Sequence, residues 1–366
     1  MKKSLLALAA LSAFATAAQA QSSVTVYGIV DMGYGAKDYT NNNYTAGANG
    51  TVQQVQNGSL SSQRLGFRGT EDLGGGLKAN FVLESGIAQN TALTFGGREY
   101  KVGLSSASWG SVDLGYGKTV SQLMMERYTA GGANNWVGEA WNYGADTTVF
   151  ATGVTAKVEQ LPVKDFTADR ANGFHYNSPV MSGVQVSLTY ANTTNKDEDG
   201  TISNNVKSTL QDIAVVYTGI KNLSIGVSQG TEKNRATAAV ASTEDKVTQF
   251  GASYVFGPAT VYGQYVKAEN ESTAGAQTRA LDGTQFGVKY AVNAKVTLHA
   301  QMGSVDEEST SGTKTHDRES TQFGAQYAFS KRTTGYVMYG TQESKLLSSG
   351  VTNEVKGYVA GVRHSF

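Results

Sequence analysis

The chain has 366 residues, with 43 Gly, 19 Tyr, 3 Pro and no Cys, and 30 Lys+Arg set against 30 Asp+Glu. The even charge argues against a nucleic-acid binder, which carries a basic surplus, and the lack of Cys excludes disulfides and thiolate chemistry. Beyond the first twenty residues no stretch of about 20 apolar residues occurs, which excludes a transmembrane helix.

Taken in chain order, the first element is a targeting segment. Lys2 and Lys3 form a charged start, Leu5 to Ala15 is a short apolar run, and Ala18-Gln19-Ala20 is a small-residue cleavage site. Residues 1–20 therefore read as a cleaved signal peptide, and 21–366 as one exported domain. Period-two alternation then gives about sixteen strands, near 23–36, 58–69, 75–88, 96–106, 109–118, 169–178, 183–191, 209–218, 222–231, 246–255, 259–269, 280–290, 294–304, 318–328, 332–341 and 354–366.

The connections between these strands alternate short and long. Residues 70–74, 107–108, 179–182, 219–221, 256–258, 291–293 and 329–331 are short. Residues 37–57, 119–168, 192–208, 232–245, 270–279, 305–317 and 342–353 are long, polar and charged, with 89–95 of middling length. Long loops gathered at one end and tight turns at the other are what an outer-membrane barrel requires. The three prolines (Pro162, Pro179, Pro258) all fall in connections, as ladder hydrogen bonding demands. The predicted fold is all-β: a transmembrane antiparallel barrel of about sixteen strands.

The faces support this. In Arg64-Leu-Gly-Phe-Arg68, Leu65 and Phe67 share one face and the arginines the other. In the last strand Tyr358, Ala360, Val362, His364 and Phe366 share a parity that Arg363 does not. An apolar outside and a charged inside suit lipid around a wet lumen, and the sheet must close so that every backbone group is paired. The connection 119–168 spans 50 residues, long enough to be functional. It carries Glu126, Glu139 and Asp146, with Met124, Trp136 and Trp141 to pack it. Folded back onto the wall, it would narrow the lumen and set acids against the arginines.

Several segments together resemble a known family. Val24–Asp31 (VTVYGIVD), Ser62–Gly76 (SQRLGFRGTEDLGGG), Arg98–Leu104 (REYKVGL), Trp109–Gly115 (WGSVDLG), Arg170–Pro179 (RANGFHYNSP) and Gly361–Phe366 (GVRHSF) are similar to the trimeric general porins of Gram-negative outer membranes. The resemblance implies a sixteen-stranded barrel, a homotrimer and a third loop folded into the pore. It implies Arg64, Arg98 and Arg170 as the basic side of the constriction, opposite Glu126, Glu139 and Asp146. It also makes the terminal Phe366 an assembly signal for the barrel-insertion machinery, and outer-membrane lipid and lipopolysaccharide the surroundings. Arg98 shares parity with Tyr100, Val102 and Leu104, so either a bulge turns it inward or it lies above the lipid band. Where the family often has Arg after Leu-Gly of the fifth strand, this chain has Tyr116, with Lys118 two residues on. Arg68, nearest the short turn, reads as a charge of the periplasmic vestibule.

Other motifs have bland readings. Gly226-Val-Ser-Gln-Gly230 lies in a strand rather than at a strand–turn–helix elbow. Tyr116-Gly-Lys-Thr119 lacks the first glycine of a phosphate loop and shows no helix pattern after it. Lys196-Asp-Glu-Asp-Gly200 is an acidic loop without the later ligands of a calcium-binding hand. The four His show no metal spacing, and no catalytic cluster or cofactor motif is present. The expected function is passive diffusion of small hydrophilic solutes and ions through a water-filled channel. The alternative is a substrate-specific channel of the same architecture, which would need a solute track such as an aromatic ladder in the lumen. A barrel enzyme and an adhesive barrel fit less well.

Overall fold

The computed structural model describes residues 23–41, 49–87, 97–132, 134–139, 147–149, 155–157, 169–194, 207–234, 243–272, 277–309 and 311–366. The expected signal peptide, Asp146, Trp141, Pro162 and the acidic run 196–200 lie outside these residues. β1 (Ser23–Thr40) sets the pattern of the wall. Its even-numbered Val24, Val26, Val30, Met32 and Tyr34 point outward and are exposed, Val24 by 65%. Its Asp31, Gly33, Gly35, Lys37 and Tyr39 point inward and are buried.

β1 pairs with two successive strands. Met32–Tyr39 pair with β2 (Gly50–Asn57), and Ser23–Ile29 pair with β3 (Arg64–Gly74). β2 and β3 are thus two halves of one stave, broken at residues 58–63. This corrects the predicted loop at 37–57 and strand at 58–69. The break has a physical cause: Gly58 takes a left-handed φ of 68°, and the Asp31 carboxylate accepts the amide N–H groups of Leu60 (2.8 Å) and Ser61 (2.6 Å). Backbone donors that a neighbouring strand would otherwise satisfy are taken by one side chain.

The wall continues through β4 (Leu77–Gly86), β5 (Glu99–Ser106) and β6 (Gly110–Lys118), then after the long third loop through β9 (Arg170–Asn177) and β10 (Val184–Thr194). β11 (Lys207–Tyr217), β12 (Leu223–Asn234), β13 (Thr243–Phe256), β14 (Ala259–Ser272) and β15 (Gln277–Ala291) follow. β16 (Val296–Ser309), β17 (Lys314–Ala328), β18 (Thr333–Leu346) and β19 (Val351–Ser365) complete it. Each strand pairs antiparallel with its neighbour, and β19 returns to β1 with Ile29 opposite Ser365 and Thr40 opposite Glu354. Among the described residues the sheet has seventeen strands, and joining β2 to β3 makes sixteen staves in a closed barrel. At the seam Phe366 and Gly28 exchange both backbone hydrogen bonds at 3.1 Å.

The short turns fall where the sequence places them except the first: residues 70–74 continue β3, and the chain turns at Gly75-Gly76 instead. At the other end the strands run further than predicted: β13 begins at Thr243 and β16 runs to Ser309, so parts of the predicted long loops are continuations of the wall. Among the described residues no helix is long and apolar enough to cross a membrane; crossing falls to the strands. The outward faces of β13–β19 present Phe250, Tyr254, Phe286, Leu298, Met302, Phe323, Val337, Tyr358 and Val362, an apolar surface suited to lipid.

Candidate functional site

The third loop leaves β6 and turns inward at once. Thr119 caps a short helix, α1 (Val120–Arg127), its Oγ1 accepting from the N–H of Gln122 at 3.3 Å. The sequence reading found no helix after Tyr116-Gly-Lys-Thr119, because eight residues around Leu-Met-Met show too short a stripe to register. The helix start is held by the wall: Asp212 of β11 accepts from the N–H (2.6 Å) and Oγ (2.9 Å) of Ser121, placing an anion at the positive end of the helix. The Thr119 N–H donates to the carbonyl of Asp169 at 3.1 Å, so the loop's exit and return are tied together. Two further short strands, β7 (Thr147–Val149) and β8 (Thr155–Lys157), pair within the loop.

Residues 120–132 and 134–138 then follow the inner wall. Val120, Met124 and Tyr128 pack on Ala214 and Val216, and Met125 packs on Val247, Val266 and Leu281. Gly131 N–H donates to Gln301 at 3.0 Å. Asn134 and Gln322 exchange side-chain hydrogen bonds at 2.8 and 3.0 Å, and Gln322 also donates to the Val137 carbonyl at 2.9 Å. Trp136, 1% exposed, donates to the Gly357 carbonyl and joins Tyr39, Val137, Tyr336, Met338 and Val359 in a buried cluster. Burying an indole of this size contributes roughly 4–6 kcal/mol as an upper estimate. Asn135 reaches the strand break, donating to the carbonyls of Ser59 and Gly58.

A track in the wall receives this segment. The tetrapeptide Thr-Gln-Phe-Gly occurs three times, at Thr248–Gly251, Thr284–Gly287 and Thr321–Gly324, on β13, β15 and β17. On each strand Phe points outward while Gln and Gly point inward, and the register steps by two residues from one repeat to the next, so that Gln285 lies level with Gly251 and Gln322 with Gly287. The glycines leave room: a Cβ at Gly251 would meet the Tyr128 ring and one at Gly287 would meet Ala130. Two of the three glutamines bind loop backbone, Gln249 donating to Ser121 O at 3.0 Å and Gln322 to Val137 O at 2.9 Å. This repeat was present in the sequence and unread there, because its partner is a loop far away in the chain.

Arg64 and Arg98 converge on one carboxylate. Glu84 Oε1 lies 2.7 Å from Arg98 Nε and 3.8 Å from Arg64 Nη1, and Glu84 Oε2 accepts from Tyr27 Oη at 3.0 Å. Glu84 pairs in register with Gly66, on the inward face. Arg98 precedes β5, and its bend turns the guanidinium inward despite the outward parity of Tyr100. The missed residue is Glu84; its parity with Asn80 and Val82 was the available signal. Two guanidiniums against one carboxylate leave this wall net positive.

On the loop, Glu126 pairs with Lys118 Nζ at 2.6 Å and accepts from Gln122 at 2.8 Å. It is also close enough to act electrostatically on Arg64. Arg170 stands opposite Lys118 in register and binds Asp169 at 2.8 Å; it shares strand parity with Phe174 and is not brought to Glu84. Glu139 is 1% exposed, enclosed rather than open to lumen water. Arg68 lies over the Tyr27 ring at 5.0 Å, toward the short turns. Ser228 of the Gly-Val-Ser-Gln-Gly motif is a buried, inward strand residue. Among the described residues no group of His, Asp and Glu is placed to hold a metal.

The family described as Gram-negative porin matches residues 7–346. An outer membrane porin of Bordetella pertussis is 32% identical over 281 residues, 70% of this chain and 66% of the relative. Outer membrane porin protein 32 of Delftia acidovorans is 33% identical over 273 residues, 72% of this chain and 68% of the relative. Among solved structures, an anion-selective porin from Comamonas acidovorans superposes with a TM-score of 0.73 at 24% identity, covering 94% of this chain and 100% of that one. The trimer form of OmpT from Vibrio cholerae gives 0.66 at 16% identity, covering 94% and 99%. The last two likenesses concern the fold.

Proposed function

We propose a passive diffusion channel from one premise: this chain belongs to the Gram-negative porin family. It is an outer-membrane β-barrel and a channel rather than an enzyme. The observation that carries the reading is the loop segment, residues 120–132 and 134–138, laid along the inner wall of a closed barrel, with Glu126 acting electrostatically on Arg64 of a basic patch that Arg64 and Arg98 form around Glu84. A narrow aqueous gap between low-dielectric walls concentrates the field of such charges. Small polar solutes and ions that can align with the field pass, large apolar ones do not, and an excess of guanidinium favours anions. Arg suits this because it stays protonated and keeps planar donors in water. Arg170 and Lys118 contribute at the edges of this zone, Glu139 is enclosed away from its water, and Asp146 is assigned to its acidic side by the sequence alone.

A substrate-specific channel is the second reading. The inward face offers Gln249, Gln264, Gln285, Gln301, Gln322 and Gln342 rather than a ladder of aromatics, which favours the general channel. A homotrimer is supported by the short β3–β6 wall, whose outward Phe81, Val102, Leu104 and Leu114 are exposed and apolar. Residues 1–20 act as the cleaved export segment of the single domain 21–366. Phe366, outward at the end of β19, serves as the signal read by the barrel-assembly machinery. Above the apolar band the outward face carries charges of both signs, including Asp306, Lys314, Glu343 and Lys356, that suit lipopolysaccharide headgroups. Conductance of the purified protein in a planar bilayer tests the function: stepwise current through an open pore is expected, and an electrically silent protein contradicts it.

A further inference from the structure

Below the loop, toward the short turns, a separate cavity of about 270 Å³ opens on the lumen wall. Ser61, Gly131, Lys289, Thr297, Gln326 and Arg363 line it. These residues come from the strand break, the loop and four different strands, and all the strand residues are inward by register. Its chemistry differs from that of the constriction. Arg64 and Arg98 share Glu84, Lys118 has Glu126 and Arg170 has Asp169. Among the described residues no carboxylate lines this cavity. Lys289 makes no ion pair among the described residues. Arg363 donates only to hydroxyls, those of Ser61 (3.1 Å) and Thr334 (3.5 Å), and its Nε is buried without a partner. Asp31 stands opposite Arg363 in register and acts on it electrostatically, but its oxygens are taken by Leu60, Ser61 and Tyr336 rather than by the guanidinium.

We propose that this cavity is a second anion station on the periplasmic side of the constriction, taking a small oxyanion such as phosphate or a short carboxylate between Lys289 and Arg363. Two cations outside any ion pair among the described residues, a hydroxyl on Thr297 and an amide on Gln326 make a donor-rich niche. A strong charge-assisted hydrogen bond is available from each cation. The cavity volume suits a compact anion. An anion leaving the constriction meets this site next, so the path through the barrel holds two basic stations separated by the loop. This inference rests on the channel reading above.

The test is chloride current through single channels in a planar bilayer at about 0.1 M salt, where the screening length is about 10 Å, with inorganic phosphate added at pH 7. Wild type is expected to show saturable reduction of current. Lys289→Gln with Arg363→Gln should raise the half-effective phosphate concentration about fivefold or more, and Arg363→Lys should restore part of the effect. Arg68→Gln with Lys78→Gln removes equal charge elsewhere at the same end and should leave the phosphate response within about twofold of wild type. A double variant with an unchanged response, a control pair with an equal loss, or open wild-type channels indifferent to phosphate would each refute the station while leaving the channel standing. A protein silent in chloride would remove both.

Discussion

The carbonyl oxygen of Val137 occupies the space that a Cβ on Gly340 would need. A loop residue and a wall residue more than two hundred positions apart are thus fitted backbone to backbone. Gly357, beneath the Val137 side chain and the Trp136 ring, repeats the fit on the next strand. The loop lies this close because the wall lacks side chains beneath it.

Gly340→Leu should therefore lift residues 136–138 off the wall and destabilise the barrel by about 1–3 kcal/mol through overpacking. Thermal unfolding followed by circular dichroism measures this. Gly263→Ala, whose added Cβ would meet nothing nearer than 3.6 Å, should stay within about 0.5 kcal/mol of wild type. Equal losses in both would show that the close fit at Gly340 carries no special weight.

Gln322→Ala should loosen the loop without emptying the core. The amide donates to Asn134 and Val137 and accepts from Asn134, and leaving those groups unpaired costs about 1–3 kcal/mol. Amide hydrogen exchange at residues 134–138 is expected to speed up while exchange in β13–β15 does not. Unchanged protection at 134–138 would mean that Trp136 alone anchors the segment.

Asp212→Asn should weaken the start of α1. It removes the charge from an acceptor that holds Ser121 N–H and Oγ, at a cost of about 1–2 kcal/mol. Noisier open-channel current than wild type is the expected signature, and a quiet channel of normal stability counts against the anchor.

Much of this was legible in the sequence, and the reasons are specific. Val355 to Phe366 shows its outward and inward sets because lipid and water demand different residues on alternate positions, and the register of β19 on β1 keeps those sets. The break at residues 58–63 was not legible, since its cause is the carboxylate of Asp31, which alternation places only as one more inward residue. Arg98 follows its neighbours' parity in sequence but bends to Glu84 in space. The three Thr-Gln-Phe-Gly repeats looked like ordinary strands until Tyr128, Ala130 and Asn134 were seen resting on them.

Glu84→Gln should increase anion preference, because it leaves Arg64 and Arg98 without their shared carboxylate. The shift in reversal potential is expected to shrink toward 1 M salt, where the screening length is about 3 Å. A salt-independent shift would point to a change in pore shape instead.

The most direct measurement is the reversal potential of single channels under a KCl gradient, wild type against Arg64→Ala. Ohmic channels whose reversal potential moves toward cation preference in the variant are the expected result, since the wall would lose one of the two guanidiniums around Glu84, the one on which Glu126 acts. Open channels with the same reversal potential in both proteins would contradict a constriction at Arg64 and place the narrow point elsewhere in the barrel.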